Sequence, residues 1–487
     1  MHIQLHTQRT DAETTLIPLA QTDDLAEQLV QIAGEVNLPA ALLQQDFKAD
    51  SKELLPVYRA EGRKVYLLGL GENPTAMDWL KAFRETFFRQ KKKLSQSVSV
   101  DLSAFSAEVV EAVVLGIRWG GYDLKLYQTD KAAAPAFYTQ EGHLSLILPD
   151  TQKEAAQEIL DRAEAIAATH HEILNLMNAP SNYKTPQTLA DWTLASGEKY
   201  GYSVTVLNKE QIEAQGLQAL LAVNKGSDLP PTFIIAEYKP VGQEGLKKVG
   251  LVGKGITFDT GGISIKPSTN MHLMKSDMGG AAAVLGTLEV AAKLALPVHL
   301  IGIVPSTENM VDGSATKPGD VIGSYIGKTI EIIDTDAEGR VILADGLGYM
   351  VRNFQPDVLI DLATLTGNSI AALGYHAAAL LSQNDALSNA LIAAADRTGE
   401  RLWRLPLWDV YKEDIKSDVA DVKNYSGKPF AGAISAGKFL EVFAEGHEAW
   451  AHLDIAGMAY GDNEFGSQKN GTGYGIRLLI DFLRHLS

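Results

Sequence analysis

The sequence predicts an α/β protein in two parts, and three observations carry that expectation. Between residues 180 and 487, short apolar runs alternate with helical stretches, the pattern of a mostly parallel sheet sandwiched by helices. Residues 1–150 repeat the alternation on a smaller scale, and 487 residues exceed what one ordinary core serves. Between the two, Lys153 to Met177 carries Ala156, Ile159, Leu160, Ala163, Ile166 and Ala167 on one side of a long helix, closed by Asn178-Ala179-Pro180. The expected boundaries are therefore a smaller N-terminal α/β domain over 1–150, a connecting helix over 151–179 and a larger C-terminal domain over 180–487.

In the first part, Val65 to Gly71 is an apolar run ending in glycine and reads as a buried strand. Met77 to Lys93 places Leu80, Phe83 and Phe87 at helical spacing, and Val98–Leu102 and Leu144–Leu148 read as further strands. Gly69-Leu70-Gly71 lacks the third glycine of a dinucleotide loop, and Pro74 follows it. His171-Glu172 opens like a zinc-protease helix, but the second histidine position holds Asn175. In the C-terminal part, Val249–Val252, Val298–Val304, Thr329–Ile333, Val358–Ile360 and His452–Ile455 are the expected strands. Met278–Leu294 and Val341–Asn353 are expected helices between them. Ligands in such folds gather at the carboxyl ends of strands.

Composition excludes several classes. No cysteine is present, which removes disulfides, zinc-thiolate sites and cysteine nucleophiles and fits a reducing cytoplasm. A formal charge of −17 opposes non-specific contact with nucleic acid or anionic membranes. The basic run Arg89 to Lys93 is too short to reverse it and reads as a solvated helix end. The start of the chain lacks a signal-peptide core, and no apolar run reaches the ~18–20 residues of a membrane helix.

The chemistry concentrates between Lys254 and Arg340. Asp259, Asp277, Asp336 and Glu338 sit among glycines with Lys254, Lys266 and Arg340, and hard oxygen donors at that density suit divalent metals. Each carboxylate also has a plainer role open to it. Asp277 and Asp336 precede helices and suit N-caps, Glu338 suits a first helical turn, and Asp259 suits a turn. Those roles leave the three cations without a reason to stand at strand ends and beside glycines.

Asp336-Ala337-Glu338-Gly339-Arg340, with the two glycine- and lysine-bearing stretches upstream, resembles the leucyl aminopeptidases, the dinuclear-metal cytosol aminopeptidases of peptidase family M17. The resemblance extends through Asn175 to Asn178, Thr185-Pro186, Asn309-Met310, Lys317 to Asp320, Ala363 to Gly367 and Trp450 to Gly457. It is loose in the N-terminal part, mainly around Tyr122-Asp123-Leu124. The family pattern ordinarily begins with Asn and ends with Leu where this chain has Asp334 and Val341.

The resemblance implies a metal-dependent aminopeptidase whose catalytic domain is the C-terminal part. By it, Lys254, Asp259, Asp277 and Glu338 match the ligands of one metal, and Asp259, Asp336 and Glu338 those of the other, with the Asp336 carbonyl contributing. Manganese or zinc would be the ions, and the two would share a hydroxide that attacks the peptide. Lys266 and Arg340 match the catalytic residues that are not ligands. Arg340 would hold a bicarbonate as general base, with backbone groups near Leu365 completing the anion site. Met274, Thr364, Gly367, Ala456 and Ala459 match the pocket for the first side chain and imply a preference for leucine or another apolar residue. Substrates would be peptides with a free N-terminus, the location cytoplasmic and the assembly a homohexamer of two stacked trimers.

Two other classes compete. A dinuclear phosphoesterase also uses carboxylates and a bridging hydroxide, but such sites usually add histidines, and this stretch has only His272. A nucleic-acid-binding or scaffold protein built on an inactive site conflicts with the acidic charge and with the seven matched polar positions. A serine hydrolase is excluded because Gly-x-Ser-x-Gly is absent.

Overall fold

The computed structural model describes residues 1–130, 133–461 and 469–486, in two compact units, Met1–His171 and Glu172–Ser487. The long helix runs Lys153–Asn178, and the division falls inside it. The N-terminal unit is built on a six-stranded sheet. Its strands follow the order His2–His6, His143–Ile147, Ser97–Asp101, Thr14–Leu19, Lys64–Gly69, Leu54–Tyr58. All pairings are parallel except the last. The helix Ala76–Gln90 starts on a Thr75/Asp78 capping box, which satisfies two orphan N–H groups. It buries Trp79, Leu80, Phe83 and Phe87, the apolar stripe its spacing predicts.

The C-terminal unit is built on a nine-stranded sheet. Its centre is four strands in parallel order: Trp450–Asp454, Val358–Ala363, Lys248–Gly253 and His299–Asn309. Antiparallel joins flank this centre, with Ala378–Leu381 on one side and Thr232–Tyr238 then Ser203–Leu207 on the other. Leu402–Arg404 forms one edge, and Gly255–Asp259 pairs with the far end of His299–Asn309. Strands buried on both faces read as continuous apolar runs, as Val249–Val252 and Val358–Ile360 do. The helix Gly279–Lys293 is buried along nearly its whole length, so small residues (Gly279 to Ala283) let it lie close on the sheet.

One expected strand is corrected. Thr329–Ile333 shortens to Ile330–Glu331 and lies outside the main sheet. Its partners, Val321–Ile322 and Val422–Lys423, are equally short, and the Ile333 N–H goes to the Asn424 side chain at 2.8 Å, not to a strand. Asp336 therefore follows a small separate sheet. Among the described residues no helix is long and apolar enough to cross a membrane.

Asp345, fully buried in the helix Glu338–Phe354, accepts the Leu220 N–H at 2.9 Å and the Tyr325 N–H at 2.8 Å. Asp345→Ala strands both donors, at about 1–3 kcal/mol each, so urea unfolding near pH 5 is expected to show a loss of roughly 2–6 kcal/mol. Burial raises the Asp345 carboxyl from 3.8 to about 7 against the pull of its backbone donors. The native state then holds a proton the unfolded chain has released, so wild-type stability falls as pH rises through that window. The gap between wild type and variant should narrow toward pH ~8. A gap unchanged by pH would show a normally titrating carboxyl.

Candidate metal centre

The site forms where the parallel strands end. Lys254 follows Lys248–Gly253, and its N–H donates to Leu362 O at 3.0 Å. The adjoining helix begins as the Ala281 N–H donates to Lys254 O at 2.9 Å. Lys254 Nζ lies 2.8 Å from Asp277 Oδ2, 2.8 Å from Glu338 Oε1 and 2.9 Å from Thr364 O. Gly339 makes this possible, because a Cβ there would stand 2.6 Å from Lys254 Cε and 2.7 Å from Nζ. Asp259 Oδ1 accepts from Gly261 N at 2.9 Å and Asn309 Nδ2 at 2.8 Å, leaving Oδ2 to face Lys266 Nζ at 2.8 Å. Gly261 and Gly262, at φ of +88° and +64°, turn the chain back so that Lys266 also pairs with Asp336.

The two N-caps are Met278 and Ala337, so neither Asp277 nor Asp336 spends its carboxylate on a helix. Asp277 Oδ1 accepts from Thr364 Oγ1 at 2.7 Å. Asp334 Oδ1 accepts the Asp336 N–H at 2.9 Å, and Asn424 Nδ2 holds the Asp334 carbonyl at 2.6 Å. Arg340, buried, donates from Nη1 to Asn424 O at 2.9 Å, while its Nε has no hydrogen-bond partner.

Carboxylate oxygens of Asp259, Asp336 and Glu338 all lie within 4.8 Å of one another. Glu338 Oε2 is buried with no hydrogen-bond partner. Burial and neighbouring carboxylates push Asp277 up to about 8 and Asp336 up to about 7, and they raise Glu338 as well. Burial alone would lower Lys254 and Lys266. The carboxylates around them outweigh it and raise both. Burial lowers Arg340 to about 10. Four carboxylates crowded in low dielectric and only partly matched by ammonium groups are a set that divalent cations fit.

This cluster opens into a cavity of about 650 Å³. Lys254, Asp259, Lys266, Asp277 and Asp336 line it, as do Met274, Thr364, Leu365, Gly367 and Ala456. Ala459 sits behind the wall, with its Cβ 2.7 Å from where a Cβ on Gly279 would be. The Leu365 N–H is directed at Asp454 Oδ1, at 3.2 Å. Sequence reasoning missed Asn270, Ile370, Tyr375, Tyr460 and Lys469, which also line the cavity, as do His272, Leu273, Ser276 and Thr366. It also missed Lys184, which is fully buried and donates to the carbonyls of Met177 (3.3 Å) and Lys275. That side chain ties the turn presenting Met274 and Asp277 to the end of the long helix, and burial lowers its ammonium to about 7. A lysine between Tyr183 and Thr185 carries no local signal for such a contact.

Comparison with known proteins agrees with the geometry. The model of the cytosol aminopeptidase family, catalytic domain (peptidase M17), matches residues 173–480. A relative named "Probable cytosol aminopeptidase" from Chloroherpeton thalassium is 44% identical over 94% of this chain and 94% of its own length. Among solved structures, the cytosol aminopeptidase from Coxiella burnetii superposes with a TM-score of 0.83 at 30% identity, covering 99% of each chain. The bottromycin maturation enzyme BotP in complex with Mn does so with a TM-score of 0.81 at 33% identity, over 98% of this chain and 99% of that one. Fold, clustered carboxylates and sequence kinship converge: the chain belongs to the cytosol aminopeptidase family, peptidase M17, and is a metal-dependent aminopeptidase.

Proposed function

We propose that the enzyme uses two divalent ions, manganese or zinc, to remove an N-terminal leucine or other apolar residue from peptides and amino-acid amides. The observation that carries this is the convergence of Asp259, Asp336 and Glu338 with Lys254 and Asp277 alongside. Lys254, Asp259, Asp277 and Glu338 would hold one ion. Asp259, Glu338, and the carboxylate and carbonyl of Asp336 would hold the other. Once bound, the pair would anchor the substrate's free amine and lower the pKa of a shared water, supplying hydroxide near neutral pH.

The remaining work falls to the chain. Lys254 would give up its proton to serve as a ligand, a change that nearby dications would favour. Lys266 donates to the oxygen that gains charge as the carbonyl is attacked, in a largely buried site where such a donor counts most. The unpartnered Arg340 Nε supports an anion site there, and a bicarbonate held by it would accept the water's proton. The first turn of Glu338–Phe354 also favours an anion. Backbone groups near Leu365 would complete that site. Met274, Thr364, Gly367 and Ala456 leave an apolar recess for leucine or methionine, with Ala459 shaping it from behind. We place the enzyme in the cytoplasm as a homohexamer, a reading supported by kinship alone.

The test compares leucine amide with N-acetyl-leucine amide. Hydrolysis of the first and not the second is expected, since acetylation removes the amine that anchors the substrate. Equal rates would overturn the reading. Asp334, already engaged by the Asp336 N–H, stands outside the ligand set. Asp334→Asn should therefore change kcat/KM by less than about tenfold and leave two metals per chain. Loss of one metal would make Asp334 a ligand.

A further inference from the structure

Among the described residues, three lysines line the cavity. Lys254 and Lys266 each face two carboxylates. Lys469 pairs with none. Its ammonium instead stands 3.6 Å from the centroid of the Tyr375 ring, which also lines the cavity and is half-exposed. A cation over an aromatic face keeps its full charge, because the ring attracts it electrostatically without neutralising it. The ring also restricts a side chain that would otherwise lose much rotamer freedom on binding a ligand. Among the described residues Lys469 is thus a held cation without a counter-charge, in the wall of a cavity whose other lysines are already matched.

We propose that Lys469 is a specificity residue that binds a substrate carboxylate. An ammonium offers three donors to a carboxylate oxygen, and a charge-assisted bond of this kind is roughly twice as strong as a neutral one. Two sources share that chemistry. One is the C-terminal carboxylate of a dipeptide. The other is an acidic side chain on the second residue of a longer peptide. Either way the enzyme favours substrates carrying a negative charge beyond the scissile bond, a feature the metal cluster cannot select because it engages the amine and the carbonyl. The inference rests on the aminopeptidase reading above and refines its substrate class.

The test compares wild type with Lys469→Met and Lys469→Arg on three substrates: Leu-Gly, Leu-Gly-amide and Leu-Glu-amide. For Leu-Gly-amide, which has no carboxylate, both variants should shift KM by less than on the carboxylate-bearing substrates. Lys469→Met should raise KM by about tenfold on Leu-Gly if the terminal carboxylate is the ligand, or on Leu-Glu-amide if a side chain is. Lys469→Arg should restore most of the loss. Tyr375→Leu, which frees the ammonium, should shift KM in the same direction by less. Equal effects on all three substrates, or none on any, would overturn the proposal while leaving the aminopeptidase intact. Wild-type failure on all three would overturn the aminopeptidase reading and this proposal with it.

Discussion

Exhaustive chelation is expected to abolish hydrolysis of leucine amide, and manganese is expected to restore it. Asp259, Asp277 and Glu338 are buried, and Asp336 stands half-buried beside them. Like charges so placed hold protons unless positive charge is supplied, which is why burial and mutual repulsion raise Asp277, Asp336 and Glu338. Lys254 and Lys266 supply part of it. Dications would supply more and, on the proposed reading, would let Lys254 become a neutral ligand. Metal should therefore raise the melting temperature in a concentration-dependent way, because it binds the folded chain and not the unfolded one. Activity and metal content measured on the same sample decide the matter. Full turnover with metal content verified as nil would sink the mechanism.

Lys266→Ala is expected to keep both metals and lose on the order of 10²–10³ in kcat, the usual cost of removing one electrostatic stabiliser of a developing oxyanion. Lys266 faces Asp259 and Asp336, so its removal leaves those carboxylates more negative and should not loosen the metals. Arg340→Ala should cost a similar factor, but it also strands the Asn424 carbonyl that Nη1 now holds. Its unfolding should be measured beside its kinetics for that reason. An Lys266→Ala protein emptied of metal would show that the lysine builds the site and does not act on substrate.

The central sheet and the polar cluster were legible because each is written locally. Val249–Val252 and Val358–Ile360 are apolar on both faces, and Asp259 to Lys266 and Asp336 to Arg340 keep their acids, bases and glycines within a few positions. The strand read at Thr329–Ile333 failed because an apolar run states only a preference. Its partners are two residues long, and the Asn424 side chain takes the next N–H. Lys184, Asn424 and Lys469 were invisible for a different reason. Lys184 bonds the Lys275 carbonyl, and Asn424 clamps Asp334 from far along the chain. Nothing in a sequence window distinguishes such a lysine or asparagine from a solvated one.

The strand Trp450–Asp454 sits between Val358–Ala363 and Ala378–Leu381, elements completed well before it in the chain. Its Asp454 fixes the Thr366 hydroxyl at 2.6 Å and accepts the Leu365 and Thr366 N–H groups, so it holds the loop that forms one wall of the cavity. Asp259, Asp277, Asp336 and Glu338 all precede this wedge in the chain. That wall of the cavity therefore depends on a strand 88 positions further along the chain. A chain cut short of Trp450 would keep the clustered carboxylates and lose the strand that holds this loop.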